Sequence, residues 1–338
     1  MSSIKIWIGI LLLIGGLGCQ RQKPAIGPSE VVYILASPSM QTRFQSVIDT
    51  TFHYGIRTPE FEPFFSTRWI EINRIGDLAA FRNIIVLADL NEKSMGRTVA
   101  AALLPADQLE LASSDSVYIF ALEDRWAKDQ MVVLIAGRDT DRMIQNINEQ
   151  KGWIYSKFDR LYQKYHIAHL YQRGEQPKLA RVLWDSYGWT MRIQHDYLVL
   201  REYPDKKFVW LGRGFPYRWL SVSWDDGIRT DWLTANGLFN KRQEIGQLYQ
   251  DIATDTRYLG FKMTRLGEWE ALKMTGLWYH EKETLGGPFF SYAFYDSRTD
   301  RTFVIDGLIF APGQKIINLF RQVEMMAGTF TTLAPRKR

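Results

Sequence analysis

Histidines and acids come first, because acid–base or metal chemistry would start from them. There are five histidines: His53, His166, His169, His195 and His280. His166 and His169 stand three apart in a helical pattern, so both imidazoles share one face. A closed metal site takes three or four ligands, and the nearest upstream acid, Asp159, lies two turns from His166. The pair is therefore read as half-exposed residues near a helix end, and no metal is assigned. Asp225-Asp226-Gly227 ends an apolar stretch. Neighbouring carboxylates on an extended chain point opposite ways, so a turn that caps the next helix is the expected role. The alternative is a hydrolase working by carboxylate acid–base chemistry. It would need Asp225, Asp226 or Glu281 gathered with His195 or His280 in one cleft. Gly286-Gly287-Pro288 lacks the lysine and the strand-to-helix setting of a phosphate loop. It reads as a tight turn with close backbone approach, and in a binding protein as the rim of a pocket. No nucleophile elbow, H-E-x-x-H or S-x-x-K arrangement stands in a convincing context. No catalytic residue and no cofactor is assigned.

Cys19 is the single cysteine. The fold therefore has no internal disulfide, no thiolate-held zinc and no catalytic thiol beyond it. One positive charge, Lys5, precedes Ile6 to Leu17, an uncharged apolar run. The run is too short for the roughly 20 residues that span a bilayer and suits the apolar core of a signal peptide. Gly16-Leu17-Gly18-Cys19 resembles a bacterial lipobox, with the leucine one place later than usual. That resemblance implies a signal peptide over 1–18 and acylation of Cys19. At about 0.8 kcal/mol per buried CH₂, two or three chains anchor almost permanently. Neither an aspartate nor an acidic cluster follows Cys19. By analogy the body is expected on the outer membrane, facing the periplasm.

The chain has 338 residues, 46% of them hydrophobic, enough for two ordinary domains with real cores. Its net charge of +5 sits mostly at the ends, in Lys5, Arg21, Lys23 and Arg336 to Arg338. The body is close to neutral, which argues against a nucleic-acid footprint. Aromatic residues reach 14%, including 12 tryptophans. Core is their default use, and a surplus would line a groove.

The elements that position these residues follow from periodicity. Residues 19–29 read as a polar tether. A first domain over 30–172 alternates strands at Glu30–Ala36, Arg68–Arg74, Asn83–Leu90, Ser116–Leu122 and Gln130–Ala136 with helices. Ser39–Tyr54 is one helix, capped by Ser39. Asn91–Ala112 is another, broken near Pro105. Thr140–Leu170 is a long third, with a stripe through Met143, Ile147, Ile154, Phe158 and Leu161 and a bend at Gly152. Arg173 to Pro177 is the boundary. A second domain over 178–330 has strands at Met191–Gln194, Lys206–Gly212 and Trp219–Trp224. A helix over Asp231–Asp255, kinked near Gly237, comes next. Strands follow at Arg257–Arg265, Trp269–His280, Gly287–Asp296 and Arg301–Phe310, and a closing helix spans Gln314–Met326. Residues 331–338 form a basic tail. The fold class is α+β: two α/β layered halves, the second a mostly antiparallel sheet flanked by helices.

Phe208-Val209-Trp210-Leu211, Thr275-Gly276-Leu277-Trp278, Leu285-Gly286-Gly287-Pro288-Phe289, Asp306-Gly307-Leu308-Ile309-Phe310-Ala311-Pro312 and Phe320-Arg321-Gln322-Val323-Glu324 occur in that order. Ser29-Glu30-Val31-Val32 and Trp126-Ala127-Lys128-Asp129-Gln130 join them from the first half. The set resembles a Bacteroidetes lipoprotein family known as domain-of-unknown-function family 4837, over nearly the full chain. The resemblance implies an envelope lipoprotein without an assigned activity, and it carries over no catalytic residue. At fold level the second half also resembles the PsbP/Mog1-type sandwich, whose members are mostly binding or assembly factors. The reading is a non-catalytic envelope module. It would bind a protein partner, a lipid or a glycan fragment through an aromatic groove formed by Trp210, Trp278, Gly286, Gly287 and Phe289.

Overall fold

The computed structural model describes residues 22–91 and 95–333. Cys19 and the residues beyond 333 lie outside them. In the first half the strands with apolar residues on both faces become the centre of a sheet. Its elements are β1 (Val31–Ala36), α1 (Pro38–Thr51), β2 (Gly55–Arg57), β3 (Phe61–Pro63), β4 (Ser66–Glu71), α2 (Ile75–Leu78), β5 (Asn83–Asp89), α3 (Met95–Leu103), α4 (Ala106–Ser113), β6 (Ile119–Glu123), β7 (Met131–Gly137) and α5 (Thr140–Leu170). The sheet order is β4-β1-β5-β7-β6, parallel except for the antiparallel β6–β7 pair. One face packs on α1 and α5 through Phe44, Ile48, Ile147 and Phe158. The other packs on α3 and α4 through Val99, Leu103 and Ala112. The first half is thus three layers.

The second half comprises α6 (Pro177–Tyr187), β8 (Leu198–Tyr203), β9 (Phe208–Arg213), β10 (Tyr217–Asp226), α7 (Ala235–Leu248), β11 (Ile252–Leu266), β12 (Trp269–His280), β13 (Gly286–Asp296), β14 (Arg301–Phe310) and α8 (Ile316–Ala327). Its sheet, β11-β12-β13-β14-β10-β9-β8, is antiparallel throughout. α6 and α8 cover one face and α7 the other. Under α7 lies a buried polar cluster. Arg242 Nε sits 3.2 Å from Asp306 Oδ1, and both side chains are fully buried. Ser291 donates to Asp306, and the Tyr249 hydroxyl donates to its other oxygen at 3.2 Å. The Arg242 guanidinium lies 3.6 Å from the centre of the Phe289 ring.

Several local expectations change. Residues 22–29 are not a free tether, since their backbone and side chains are hydrogen-bonded to the first half from Gln22 onward. Ser37, not Ser39, caps α1, because Pro38 fits the first helical position. Pro177 likewise opens α6 and Gly188, at φ 69°, closes it, a helix the sequence reading left out. Of Met191–Gln194 only Gln194 pairs, in one isolated bridge to Glu175. The helix expected over Asp231–Asp255 is shorter: Thr234 accepts from Gly237 N, so the glycine marks the start rather than a kink. At the far end, Thr331 N bonds to Thr190 O at 2.8 Å and Thr332 donates to buried Asp296 at 2.7 Å. The basic tail therefore begins no earlier than 334.

A charged cleft between the two halves

The polar residues that fold into contact across the two halves come from five elements. α5 presents Asp159 and Gln163 one turn apart, and α8 presents Arg321 and Glu324. Across the sheet, Lys262 is opposite Lys273, and Lys273 is opposite Tyr292. Directly opposed residues share a face, so β11, β12 and β13 line up Lys262, Lys273 and Tyr292 toward α8. Lys273 Nζ donates to Glu324 Oε1, and the Tyr292 hydroxyl donates to the same oxygen at 2.5 Å. Arg321 Nη2 donates to Asp159 Oδ1, while Gln163 Nε2 donates to Asp159 Oδ2 at 2.7 Å. The Arg321 guanidinium lies 3.5 Å from the Tyr162 ring centre, and its Nη1 is buried with no hydrogen-bond partner among the described residues.

These groups line a cleft of about 490 Å³, walled by Tyr54, Phe64 and Tyr155 from the first half. That lies within the range of small-ligand sites. Burial pushes the Glu324 carboxyl up, but the charge and hydrogen bond of Lys273, the Tyr292 hydroxyl and Arg321 outweigh it and hold the group below its ordinary value. Burial and the Glu324 charge push the Tyr292 hydroxyl well up. Lys262 is exposed overall yet lines the cleft. Crowding by protein, then the Lys273 charge, lower its pKa against the opposing pull of Glu324 and Asp159. Lys273 pairs with Glu324 and Arg321 pairs with Asp159. The Lys262 ammonium makes no hydrogen bond or ion pair among the described residues, and Arg265, also in the lining, meets only the Glu268 carbonyl, so the cleft keeps surplus positive charge. A recess of about 170 Å³ next to it also touches Lys262 and Lys273. A larger cavity of about 830 Å³ lies at the linker. There Arg192 and Glu175 satisfy each other through two hydrogen bonds.

The residues singled out from sequence fall elsewhere. Trp210, Trp278 and Phe289 do come together, but in the apolar layer under α7, where Trp278 and Phe289 are almost fully buried. They form core rather than a groove wall. The Trp278 indole donates to Ile309 O at 3.2 Å. A Cβ on Gly287 would stand 2.1 Å from that same oxygen, and one on Gly286 2.9 Å from Trp278 O. These glycines admit strand-to-strand approach, not a ligand. The half-exposed rings are instead Tyr217, Trp219 and Phe310, stacked beside exposed Phe215. The alternation Phe215, Tyr217, Trp219 was the signal for them.

Asp225 and Asp226 are both held by Lys207, at 2.9 and 2.6 Å, and Asp225 is also held by Arg229. Those two hydrogen bonds outweigh burial and lower the Asp225 pKa. His280 Nδ1 accepts from Lys282 N and Glu283 N, and Glu281 N bonds to Asp251 O. His195 lies on the surface beside Gly174. The acids and histidines of the hydrolase alternative are thus not gathered. His166 Nε2 is 2.7 Å from Ser29 Oγ, whereas His169 Nδ1 is 2.7 Å from Tyr165 O, so the two rings serve different partners. No group of three metal-binding side chains occurs among the described residues, and no helix there is long and apolar enough to cross a membrane.

Fold and cleft together define an α+β protein of two three-layer halves with a polar site between them. Residues 176–329 match the family model described as Domain of unknown function (DUF4837), and residues 25–171 match a second, Domain of unknown function (DUF8532). The chain therefore carries two uncharacterised domains, and the family resemblance drawn from sequence is confined to the second half. No curated protein matches the chain. Among solved structures, a Bacteroides thetaiotaomicron VPI-5482 protein aligns over 43% of this chain at 11% identity and TM-score 0.26, and the chain spans 45% of that protein's length. The Saccharomyces cerevisiae Ran-binding protein Mog1p aligns over 43% of this chain and 90% of its own, at 11% identity and TM-score 0.30. A point mutant of the protein Mog1 gives 10% identity and TM-score 0.29 over the same shares.

Proposed function

We propose that this chain is a lipid-anchored cell-envelope binding module, held to a bilayer through Cys19, with the cleft between its halves as the ligand site. The anchoring half of the reading is supported by the signal-like run before Cys19 and by the small residues Gly16 and Gly18 that lead into it. The residues after Cys19 favour the periplasmic face of the outer membrane. The single observation that carries the binding half is the unpaired Lys262 ammonium, in a cleft where Lys273 and Arg321 are matched by Glu324 and Asp159 and the remaining cation, Arg265, is turned onto the Glu268 carbonyl. Such a site takes a small ligand with an acidic group. The ammonium supplies a charge-assisted hydrogen bond worth roughly 1.5–3 kcal/mol, and the tyrosine and phenylalanine rings cover the ligand's apolar part.

Pyrophosphate and glutarate serve as probes. Either at millimolar concentration should raise the melting temperature of the wild-type protein by mass action, and Lys262→Ala should weaken that binding about tenfold or more. Lys262 has no partner to strand, so the variant should otherwise melt like wild type. Equal stabilisation of both proteins, or none of the wild type by either probe, would remove the cleft from the proposal.

A further inference from the structure

We infer that acylated Cys19 seats one defined face of the first half, residues 22–28 together with the 123–129 turn, on the headgroup layer of the bilayer. This rests on the anchoring part of the proposed function. Only residues 20 and 21 separate Cys19 from Gln22. Three Cα steps of 3.8 Å reach about 11 Å at full extension.

From Gln22 onward the chain is part of the fold. Gln22 Nε2 donates to Asp124 O at 3.0 Å, and Lys128 N donates to Lys23 O at 2.9 Å. Ala25 N donates to Lys128 O at 2.7 Å, Ile26 N to Ala80 O at 2.9 Å, and Arg82 N to Ile26 O at 2.9 Å. The Arg82 guanidinium also holds the carbonyl of buried Ala25, at 3.0 Å. Parallel bridges join Pro24 to Lys128 and Ile26 to Phe81. A long polar linker would let the body roam, but this attachment leaves no slack beyond two residues.

The seated face suits an interface. Ile26 is 53% exposed, and Phe81 and Trp126 are half-buried at the same end of the sheet. Of these, Trp126 has the amphipathic ring that settles at headgroup depth, and Ile26 and Phe81 add apolar area beside it. Charges there are mixed, with Lys23, Arg125 and Lys128 against Glu123, Asp124 and Asp129, the last paired with Lys164. Seating is therefore imposed by the short attachment and the apolar residues, not by attraction to anionic lipid, and it is insensitive to salt. Met131 starts β7 at this end, and Arg138 follows its other end. Seven residues at about 3.3 Å each put Arg138 roughly 23 Å farther from the bilayer along the strand.

The test uses the full lipidated chain in neutral phosphatidylcholine vesicles. Lys128→Cys and Arg138→Cys each carry a nitroxide, and collision with oxygen against a water-soluble nickel complex reports depth. The expected result is several-fold lower nickel access at 128 than at 138, unchanged by 0.5 M salt (about 4 Å screening length). Fifteen Gly/Ser residues inserted between Gln20 and Arg21 should remove that difference while the protein still floats with the vesicles. Equal nickel access at both positions in the vesicle-bound, uninserted protein overturns the seating alone. A chain that fails to float, and whose own Cys19 takes the label, overturns the anchor and the seating together.

Discussion

Arg321→Ala is the sharpest probe of the join between the halves. Arg321 is 5% exposed and reaches from α8 into the first half. There its guanidinium meets Asp159 on α5, lies 3.5 Å from the Tyr162 ring centre, and stands 5.1 and 5.3 Å from those of Phe64 and Phe65. Breaking a buried ion pair by removing one partner costs about 3–5 kcal/mol. Asp159 is 21% exposed and keeps the Gln163 hydrogen bond, so the lower end, about 3 kcal/mol, applies. A desolvated cation over a ring adds about 2 kcal/mol. Releasing the unpartnered Nη1 returns roughly 1 kcal/mol. The expected loss is about 4 kcal/mol, and Arg321→Met, which keeps the packing volume, should lose about 1 kcal/mol less. Urea unfolding followed by tryptophan fluorescence and far-ultraviolet circular dichroism measures this. The wild type should unfold in one transition, with the two probes coincident. The alanine variant should show a lower midpoint and separated transitions as the halves uncouple. A loss under about 1 kcal/mol with an unchanged slope would refute the assignment of Arg321 as the bolt between the halves.

Three further outcomes follow from buried groups. Burial pushes the His166 imidazole down to about 4, with Arg321, His169 and Arg82 adding to this and Glu30 opposing. The unfolded chain then takes up the proton first, near pH 6.5. Stability should be unaffected above that pH, fall between about 6.5 and 4, and level off below. His166→Gln should flatten this limb in urea midpoints compared at pH 4.5 and 7.5, and an equal slope in both proteins would contradict the shift. Asp306→Asn strands the fully buried Arg242 charge and should cost about 3–5 kcal/mol by chemical denaturation, most of it regained in Arg242→Met/Asp306→Leu; a single-variant loss below about 1 kcal/mol would argue against a charged pair. Gly287→Ala drives a Cβ against Ile309 O and should cost at least about 2 kcal/mol, while Gly152→Ala, open on its helix, should gain about 0.5–1 kcal/mol, so similar melting temperatures for the two would be the wrong outcome.

What was legible in the sequence is what local periodicity dictates. The stripe from Met143 to Leu161 marked α5, and its span of Thr140–Leu170 agrees with the structure. The runs Asn83–Leu90 and Gln130–Ala136 gave the central strands, which the structure places at Asn83–Asp89 and Met131–Gly137, because both faces are covered and every other residue need not be polar. The paired strand β8 stayed hidden because Leu198–Tyr203 is an exposed edge, half polar and without a buried face. The site stayed hidden for a different reason. Lys262, Lys273, Arg321 and Asp159 sit on four elements far apart in sequence, and only strand register and the packing of α8 on α5 bring them together. Trp278 and Phe289 were conspicuous by type, but residue type alone does not distinguish a ring that packs a helix from one that waits for a ligand.

α5 joins the two proposals physically. Its 31 residues make a rod of about 46 Å. Lys164 on this rod stands 3.7 Å from Asp129 of the proposed seated turn, and Arg82, which holds Ala25, lies 3.8 Å from the Tyr165 ring centre. One turn or so earlier, Asp159 takes the ion pair from Arg321 at the cleft. Five residues of helix advance about 7.5 Å, so the contacts beside the proposed seated turn and those that close the cleft lie on successive turns of one rigid element. On the two proposals together, a body seated by two residues of slack would hold its cleft at a set height, close to the bilayer rather than sweeping the space above it. A ligand with an acidic head and an apolar remainder would meet the site from the membrane side at an effective concentration that a free-floating domain lacks. The linker insertion before Arg21 should then weaken capture of a vesicle-borne acidic lipid while leaving soluble glutarate binding unchanged. Equal weakening of both would mean that the insertion disturbs the cleft itself.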